Sequence, residues 1–273
     1  YLKARGEYDN TIIIFTSDNG AEASGPQDHD SFAERLLPAA LGYHTDYERL
    51  GLKGSYNTIS PSFASAAVSP LAYYKFYAGE GGMRVPLIVA GASLPVQGEL
   101  SHAFSFVTDI APTVLSFAGV MRPDARYGGR SVEPMIGRDL GPLLRQEAQR
   151  VYGPKDSVGY ELAGHAVLFQ GDYKIVFHRT PLSDGQWHLY NIVRDPGETE
   201  DLSSTEPARL QHMLSAYERY ARDNKVLPVP PGFDNFKQLV INTLYSRLRT
   251  PVLVTLLTIL ILLPFVVAYR SKR

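Results

Sequence analysis

The residues Thr11-Ile12-Ile13-Ile14-Phe15-Thr16-Ser17-Asp18-Asn19-Gly20 decide the fold class. The β-branched and aromatic run from Thr11 to Thr16 is too short for a core helix and shows no polar alternation. It reads as a strand buried on both faces in a parallel sheet. The run stops at Ser17-Asp18-Asn19-Gly20, a cluster of turn formers. In open α/β sheets, ligands gather beyond the carboxyl ends of the strands. Asp18 and Asn19 stand at such an end, and a carboxylate beside an amide carbonyl offers oxygen ligands to a hard cation such as Ca²⁺ or Mg²⁺. A plain Asn-Gly turn accounts for the same residues without a metal, so residue types alone leave both readings open.

Upstream, Tyr8-Asp9-Asn10 punctuates the end of a helix. Downstream, residues 21–69 are polar, bear Gly, Ser and Pro, and have weak periodicity. An irregular insertion of that length is usually functional or mobile. Tyr73-Tyr74-Lys75-Phe76-Tyr77, Gly79-Glu80-Gly81-Gly82 and Val85-Pro86-Leu87-Ile88-Val89-Ala90 then read as strand, glycine turn and strand. Lys75 lies in the first of these. Its ammonium is a compact point charge suited to a tetrahedral oxyanion; a solvated lysine on a strand edge is the plainer alternative. Phe106, Ile110, Val114 and Phe117 predict a helix over 106–118 that packs on the sheet.

The pattern changes near residue 150. Short strands at 166–170 and 173–178 are separated by the hairpin signal Gly171-Asp172, and another strand follows at 187–191. Residues 207–225 form an amphipathic helix with Leu210, Met213, Leu214, Tyr217 and Tyr220 on one side. The expected organisation is the C-terminal part of an α/β domain over 1–149, a small α+β subdomain over 150–227, a linker over 228–250 that begins with the stiff stretch 228–231, and a membrane helix over 251–269. Residues 251–269 carry no charge and are mostly Leu, Ile, Val and Thr, long enough to span a bilayer. They lack the polar stripe of a core helix. Arg247 and Arg249 precede the run, and Arg270, Lys272 and Arg273 follow it. The heavier basic flank predicts a cytoplasmic tail, with the globular part in the periplasm or otherwise outside the cytoplasm.

The composition excludes other classes. Of 273 residues, 44% are hydrophobic and 20% charged, which is globular rather than disordered. The net charge of -1 gives no electrostatic footprint for nucleic acid. The chain has no cysteine, which removes disulfides and Cys-based zinc sites. The histidines form no metal-ligand spacing, and Asp28-His29-Asp30 reads as a polar loop. The chain opens on Tyr1 with no visible signal peptide, which reads as a truncated gene product.

Several motifs together resemble the sulfatase family of the alkaline phosphatase superfamily. Ile14-Phe15-Thr16-Ser17-Asp18-Asn19-Gly20 is similar to its second metal-binding motif. Tyr74-Lys75, Glu80-Gly81-Gly82-Met83-Arg84-Val85-Pro86 and Val107-Thr108-Asp109-Ile110-Ala111-Pro112-Thr113 resemble the segments that follow it. Trp187-His188-Leu189-Tyr190-Asn191 and Asp195-Pro196-Gly197-Glu198 through Asp201-Leu202 resemble its C-terminal subdomain. The insertion with Ala64 to Pro70 and Lys75 looks closest to bacterial arylsulfatases and alkylsulfatases. The resemblance implies an alkaline-phosphatase-like mixed sheet flanked by helices and a small four-stranded C-terminal subdomain. It implies one Ca²⁺ ion, with Asp18 and Asn19 matching two of its ligands and Lys75 matching the lysine that contacts sulfate. It also implies a formylglycine nucleophile, made by a formylglycine-generating enzyme from a C/S-x-P-x-R motif that lies N-terminal to Asp18 in the family and is absent from these residues. The expected substrate is then an aryl, alkyl or sugar sulfate ester, and this chain alone would not turn it over. A phosphodiesterase or phosphonate hydrolase of the same superfamily, or an inactive membrane-anchored relative, remains the alternative.

Overall fold

The computed structural model describes residues 1–23, 42–57, 59–95 and 98–270. In chain order the elements are α1 (Leu2–Arg5), β1 (Ile12–Thr16), α2 (Ser60–Val68), α3 (Glu80–Met83), β2 (Leu87–Gly91), α4 (Ile110–Phe117), the ribbon β3 (Arg126–Tyr127) and β4 (Arg130–Ser131), α5 (Gly141–Leu144), β5 (Ser157–Leu162), β6 (His165–Gln170), β7 (Tyr173–Phe177), β8 (Trp187–Asn191), α6 (Pro207–Asp223) and α7 (Asn235–Arg270). Tyr1–Lys225 form one compact unit and Val226–Arg273 another.

β1 is a strand, as its residues predict, but it is neither parallel nor buried on both faces. It pairs antiparallel with β2, placing Phe15 opposite Ile88 and Ile13 opposite Ala90. Burial alternates along β1, and Phe15 is 63% exposed. An unbroken apolar run does not encode the direction of its partner, and here only one face of the pair meets other side chains. Residues 73–77 are also not a strand. Tyr73 and Phe76 have φ of 63° and 79°, in the left-handed region that a pleated strand cannot use. Tertiary contacts override the β preference of these aromatics: the Tyr73 ring lies 4.7 Å from His178, and Tyr77 lies 5.2 Å from Tyr74. The glycines that follow open α3 instead of turning between strands. Asp28-His29-Asp30 lies outside the described residues.

The helix expected over 106–118 is present as a 3-10 turn, Val107–Asp109, leading into α4. Asp109 anchors it. This fully buried carboxylate accepts the N–H of Phe106 at 2.7 Å, the N–H of Arg138 at 2.7 Å and the Tyr152 hydroxyl at 2.5 Å. A buried charge is tolerable only when its lone pairs are met in this way.

The C-terminal sheet runs β5-β6-β7-β8, antiparallel throughout. Sequence periodicity misses β5 because Gly159 sits in its centre and lowers strand propensity. A Cβ there would lie 2.3 Å from the Tyr220 ring, so glycine is what lets α6 dock. Period-two alternation gives the sheet two apolar faces. Leu168, Ile175 and Leu189 pack with Met213 and Ala216 of α6, while Val167, Phe169 and Val176 pack with Ala78 and Ile192. Burying each large aliphatic side chain stabilises the unit by about 2 kcal/mol.

α7 contains the stretch expected to span a membrane. Pro251 and Pro264 lie inside it without ending it. Among the described residues, no helix is long and apolar enough to cross a membrane. The side chains described in the apolar stretch end at Pro264, short of the full run to residue 269.

Candidate active site

β1 delivers the chain into the turn Ser17–Gly20. The Ser17 hydroxyl donates to the Asn19 carbonyl at 2.9 Å and closes the turn on itself. The Gly20 N–H donates to the Gly82 carbonyl of α3 at 3.0 Å. A Cβ on Gly20 would lie 1.8 Å from the Gly81 carbonyl oxygen, so only glycine permits this approach. One residue later, the Ala21 carbonyl accepts the Lys75 N–H at 3.1 Å. The segments carrying Asp18, Asn19 and Lys75 are therefore adjacent, although the residues are distant in sequence.

Asp18 is exposed and Asn19 half-buried at the end of β1. Among the described residues, no cluster of three or more His, Cys, Asp or Glu is arranged to hold a metal. Asp18 and Asn19 supply hard oxygen donors of the kind Ca²⁺ or Mg²⁺ requires, and so fit one corner of such a site. The half-buried Lys75 ammonium lies 5.3 Å from the Phe76 ring centroid and forms an ion pair with Glu22. Sequence reading did not single out Glu22. Lys53 is exposed on the loop before α2.

A buried charged cluster, which sequence reading missed, holds α3. Lys174, fully buried in β7, sits 3.1 Å from Glu80 Oε1 and 2.8 Å from Glu198 Oε1. Arg84 reaches the other Glu80 oxygen at 2.8 Å. Two cations thus face two carboxylates, and burial pushes the Glu198 carboxyl above its ordinary pKa even though Lys174 pulls the other way. A signal existed: Lys174 alternates with the apolar residues Tyr173, Ile175 and Phe177, which places it on the opposite face with Val176 and His178. Farther along the same face, His165 and His178 are buried with rings 5.2 Å apart. Burial, then His165 and Lys174, holds His178 down to about 3, so it stays neutral.

A sulfatase family profile matches residues 1–120. Over 235 residues the chain is 32% identical to an uncharacterized sulfatase of Schizosaccharomyces pombe, covering 85% of this chain and 42% of that protein. The chain belongs to the sulfatase family. It is also 29% identical over 143 residues to an arylsulfatase of Klebsiella aerogenes, covering 52% of this chain and 30% of the relative. It thus spans less than half the length of these sulfatases. A solved structure in complex with k-i-k-neocarrahexaose aligns with a TM-score of 0.53 at 22% identity, covering 87% of this chain and 42% of the other. Another, bound to its substrate D-glucosamine-2-N,6-O-disulfate, aligns with a TM-score of 0.52 at 21% identity, covering 82% and 37%. At these identities the structures establish a shared sulfatase-like α/β fold.

Proposed function

We propose that this chain is part of a sulfuric ester hydrolase, to which it contributes Asp18 and Asn19 as metal ligands and Lys75 as a contact to the sulfate group. The observation that carries the reading is the backbone connection between the two segments: the Lys75 N–H is bonded to the carbonyl of Ala21, three residues beyond Asp18. In this reading a bound Ca²⁺ or Mg²⁺ ion supplies Lewis-acid stabilisation to oxygens that gain negative charge. Asp18 and Asn19 orient oxygen donors toward it. Lys75 meets a sulfate oxygen from the floor of the site, and Glu22 holds the ammonium in place until substrate arrives. The nucleophile is a formylglycine from outside these residues, N-terminal to Asp18, matured by a formylglycine-generating enzyme. Sugar sulfates are a supported substrate class, because a relative covering 82% of this chain is an N-acetylglucosamine-6-O-sulfatase of Bacteroides thetaiotaomicron.

The apolar stretch 251–269 anchors the protein in a membrane as a single span, with the hydrolase part outside the cytoplasm. Its support is the uncharged run with basic residues at both ends. Intact protein should resist carbonate extraction, and a variant ending after Pro231 should be released as soluble protein. Release of the intact protein by carbonate or high salt alone would remove the span.

The activity is tested by comparing an aryl sulfate with the matched phosphodiester on the full-length, matured protein. Sulfate hydrolysis should dominate in kcat/KM. A preference for the phosphodiester would assign the chain to the phosphoryl-transfer branch of the superfamily.

A further inference from the structure

We propose that Lys174 and Glu198 are positioning residues that set the geometry of the candidate sulfate site from the C-terminal sheet subdomain. The role assigned to the site rests on the sulfate-ester reading above; the mechanical coupling does not. α3 is a single turn with no side-chain cap of its own, yet its first N–H, that of Glu80, donates to Glu198 Oε2 at 2.8 Å. The Glu80 side chain is held in turn by Lys174 and Arg84. Within the same turn, the Gly81 N–H donates to the Ala72 carbonyl at 2.7 Å, and the Gly82 carbonyl accepts the Gly20 N–H at 3.0 Å. A two-residue step along the backbone therefore separates the buried ion cluster from the turn that bears Asp18 and Asn19. The Ala72 contact fixes the start of the segment that carries Lys75.

The loop around Glu198 is built to hold this position. Glu198 has φ of 53°, a left-handed conformation that costs a non-glycine residue energy and persists only when surroundings impose it. Asp195 imposes it, accepting the N–H groups of Thr199 at 2.6 Å and Glu200 at 2.8 Å. Gly197 abuts the Pro70 carbonyl just ahead of the Lys75 segment. Stability alone does not call for such a cluster, because buried ion pairs are commonly replaceable by apolar groups at little loss. Charged partners instead accept one arrangement: Glu80 and Lys174 are 94 residues apart in sequence and meet in a single register.

The test uses a triple variant, Glu80→Gln, Lys174→Met and Glu198→Gln, which removes the charges of these three residues and roughly conserves volume. Hydrogen exchange is followed at single amides in the 273-residue chain. The Gly20 and Lys75 amides should exchange at least about tenfold faster, while Leu168 and Ile175 in the sheet stay protected. In the full-length enzyme kcat should fall by about tenfold or more with KM within about twofold, and Lys174→Arg alone, which keeps a cation between Glu80 and Glu198, should lose less. The single variant Glu198→Gln replaces the triple if the latter does not fold. Unchanged exchange at Gly20 and Lys75 in a folded variant would overturn the proposal. The exchange result decides the coupling even for a protein that hydrolyses no sulfate ester, so its failure and the failure of the activity reading remain separate.

Discussion

The N–H of Lys75 donates to the carbonyl oxygen of Ala21 at 3.1 Å, fixing the candidate sulfate-contacting lysine to the strand-end turn that carries Asp18 and Asn19. The same turn is fastened to α3 through Gly20 and Gly82. The candidate site is thus made of backbone held against backbone, with side chains projecting from it, and its most sensitive positions include residues with no side chain.

Gly20→Ala should be among the most damaging small substitutions. Its methyl would sit 1.8 Å from the Gly81 carbonyl, so β1 and α3 must part. The expected loss is more than about 2 kcal/mol of unfolding free energy, read from the denaturant midpoint at unchanged slope. Gly232→Ala, at a position where no atom lies within 4 Å of the added carbon, should cost less, with only its positive φ of 71° opposing it.

Lys75→Ala in the full-length enzyme should lower kcat/KM on an aryl sulfate by about two to three orders of magnitude, as for loss of a preorganised donor. Stability should change little, because the Glu22 pair is partly exposed and such pairs contribute little. Lys75→Arg should rescue poorly, since a planar fork does not replace a compact ammonium. Lys53→Ala should retain activity. Near wild-type turnover by a folded Lys75→Ala protein would remove the lysine from the site.

Two histidines of the C-terminal subdomain should act on stability in opposite directions. Burial lowers His188, but its bonds to Asp201 at 2.7 Å and Asp184 at 3.0 Å outweigh burial and raise it above 6.5. Its contribution is fully present below pH 6.5 and is lost as pH rises through the raised value. Asp201 is the partner on the acid side. Burial raises it, but bonds from Ser203, His188 and Leu189 bring it down to about 2, so its contribution holds above 3.8 and fades as pH falls toward 2. His178 is the reverse of His188. Held down to about 3, it favours unfolding as pH drops below 6.5, where the unfolded chain takes up a proton that the folded one refuses. Unfolding curves from pH 5 to pH 8, a range of about three units, should show His178→Gln losing less stability on acidification than wild type. His188→Gln should flatten the alkaline side. Parallel curves for all three proteins would contradict these assignments.

Much of this architecture is legible in the residues. The apolar run 12–16 and its abrupt polar end locate β1 and the Asp18-Asn19 turn, and the spacing of Leu210, Met213, Tyr217 and Tyr220 gives α6. What is not legible has physical causes. An all-apolar run carries no record of its partner's direction, so the antiparallel pairing with β2 is invisible. Residues 73–77 look like a strand because aromatics favour pleated surfaces, while the Tyr73 ring packs against His178 and Tyr77, and the backbone is left-handed at Tyr73 and Phe76. β5 is concealed by Gly159, whose lack of a side chain matters only once Tyr220 is in place. The charged cluster of Glu80, Lys174 and Glu198 is long-range, and no local pattern announces which carboxylate a buried lysine will meet.

In the proposed sulfuric ester hydrolase, the Asp18-Asn19 turn holds the metal. The most direct measurement is the metal content of the purified full-length protein and its Asp18→Ala variant by elemental analysis, alongside turnover of a simple aryl sulfate. A divalent cation near stoichiometry is expected in the parent and markedly less in the variant, with turnover lost and the fold retained. Equal metal content in the two proteins, or sulfate hydrolysis that survives Asp18→Ala, would contradict this assignment.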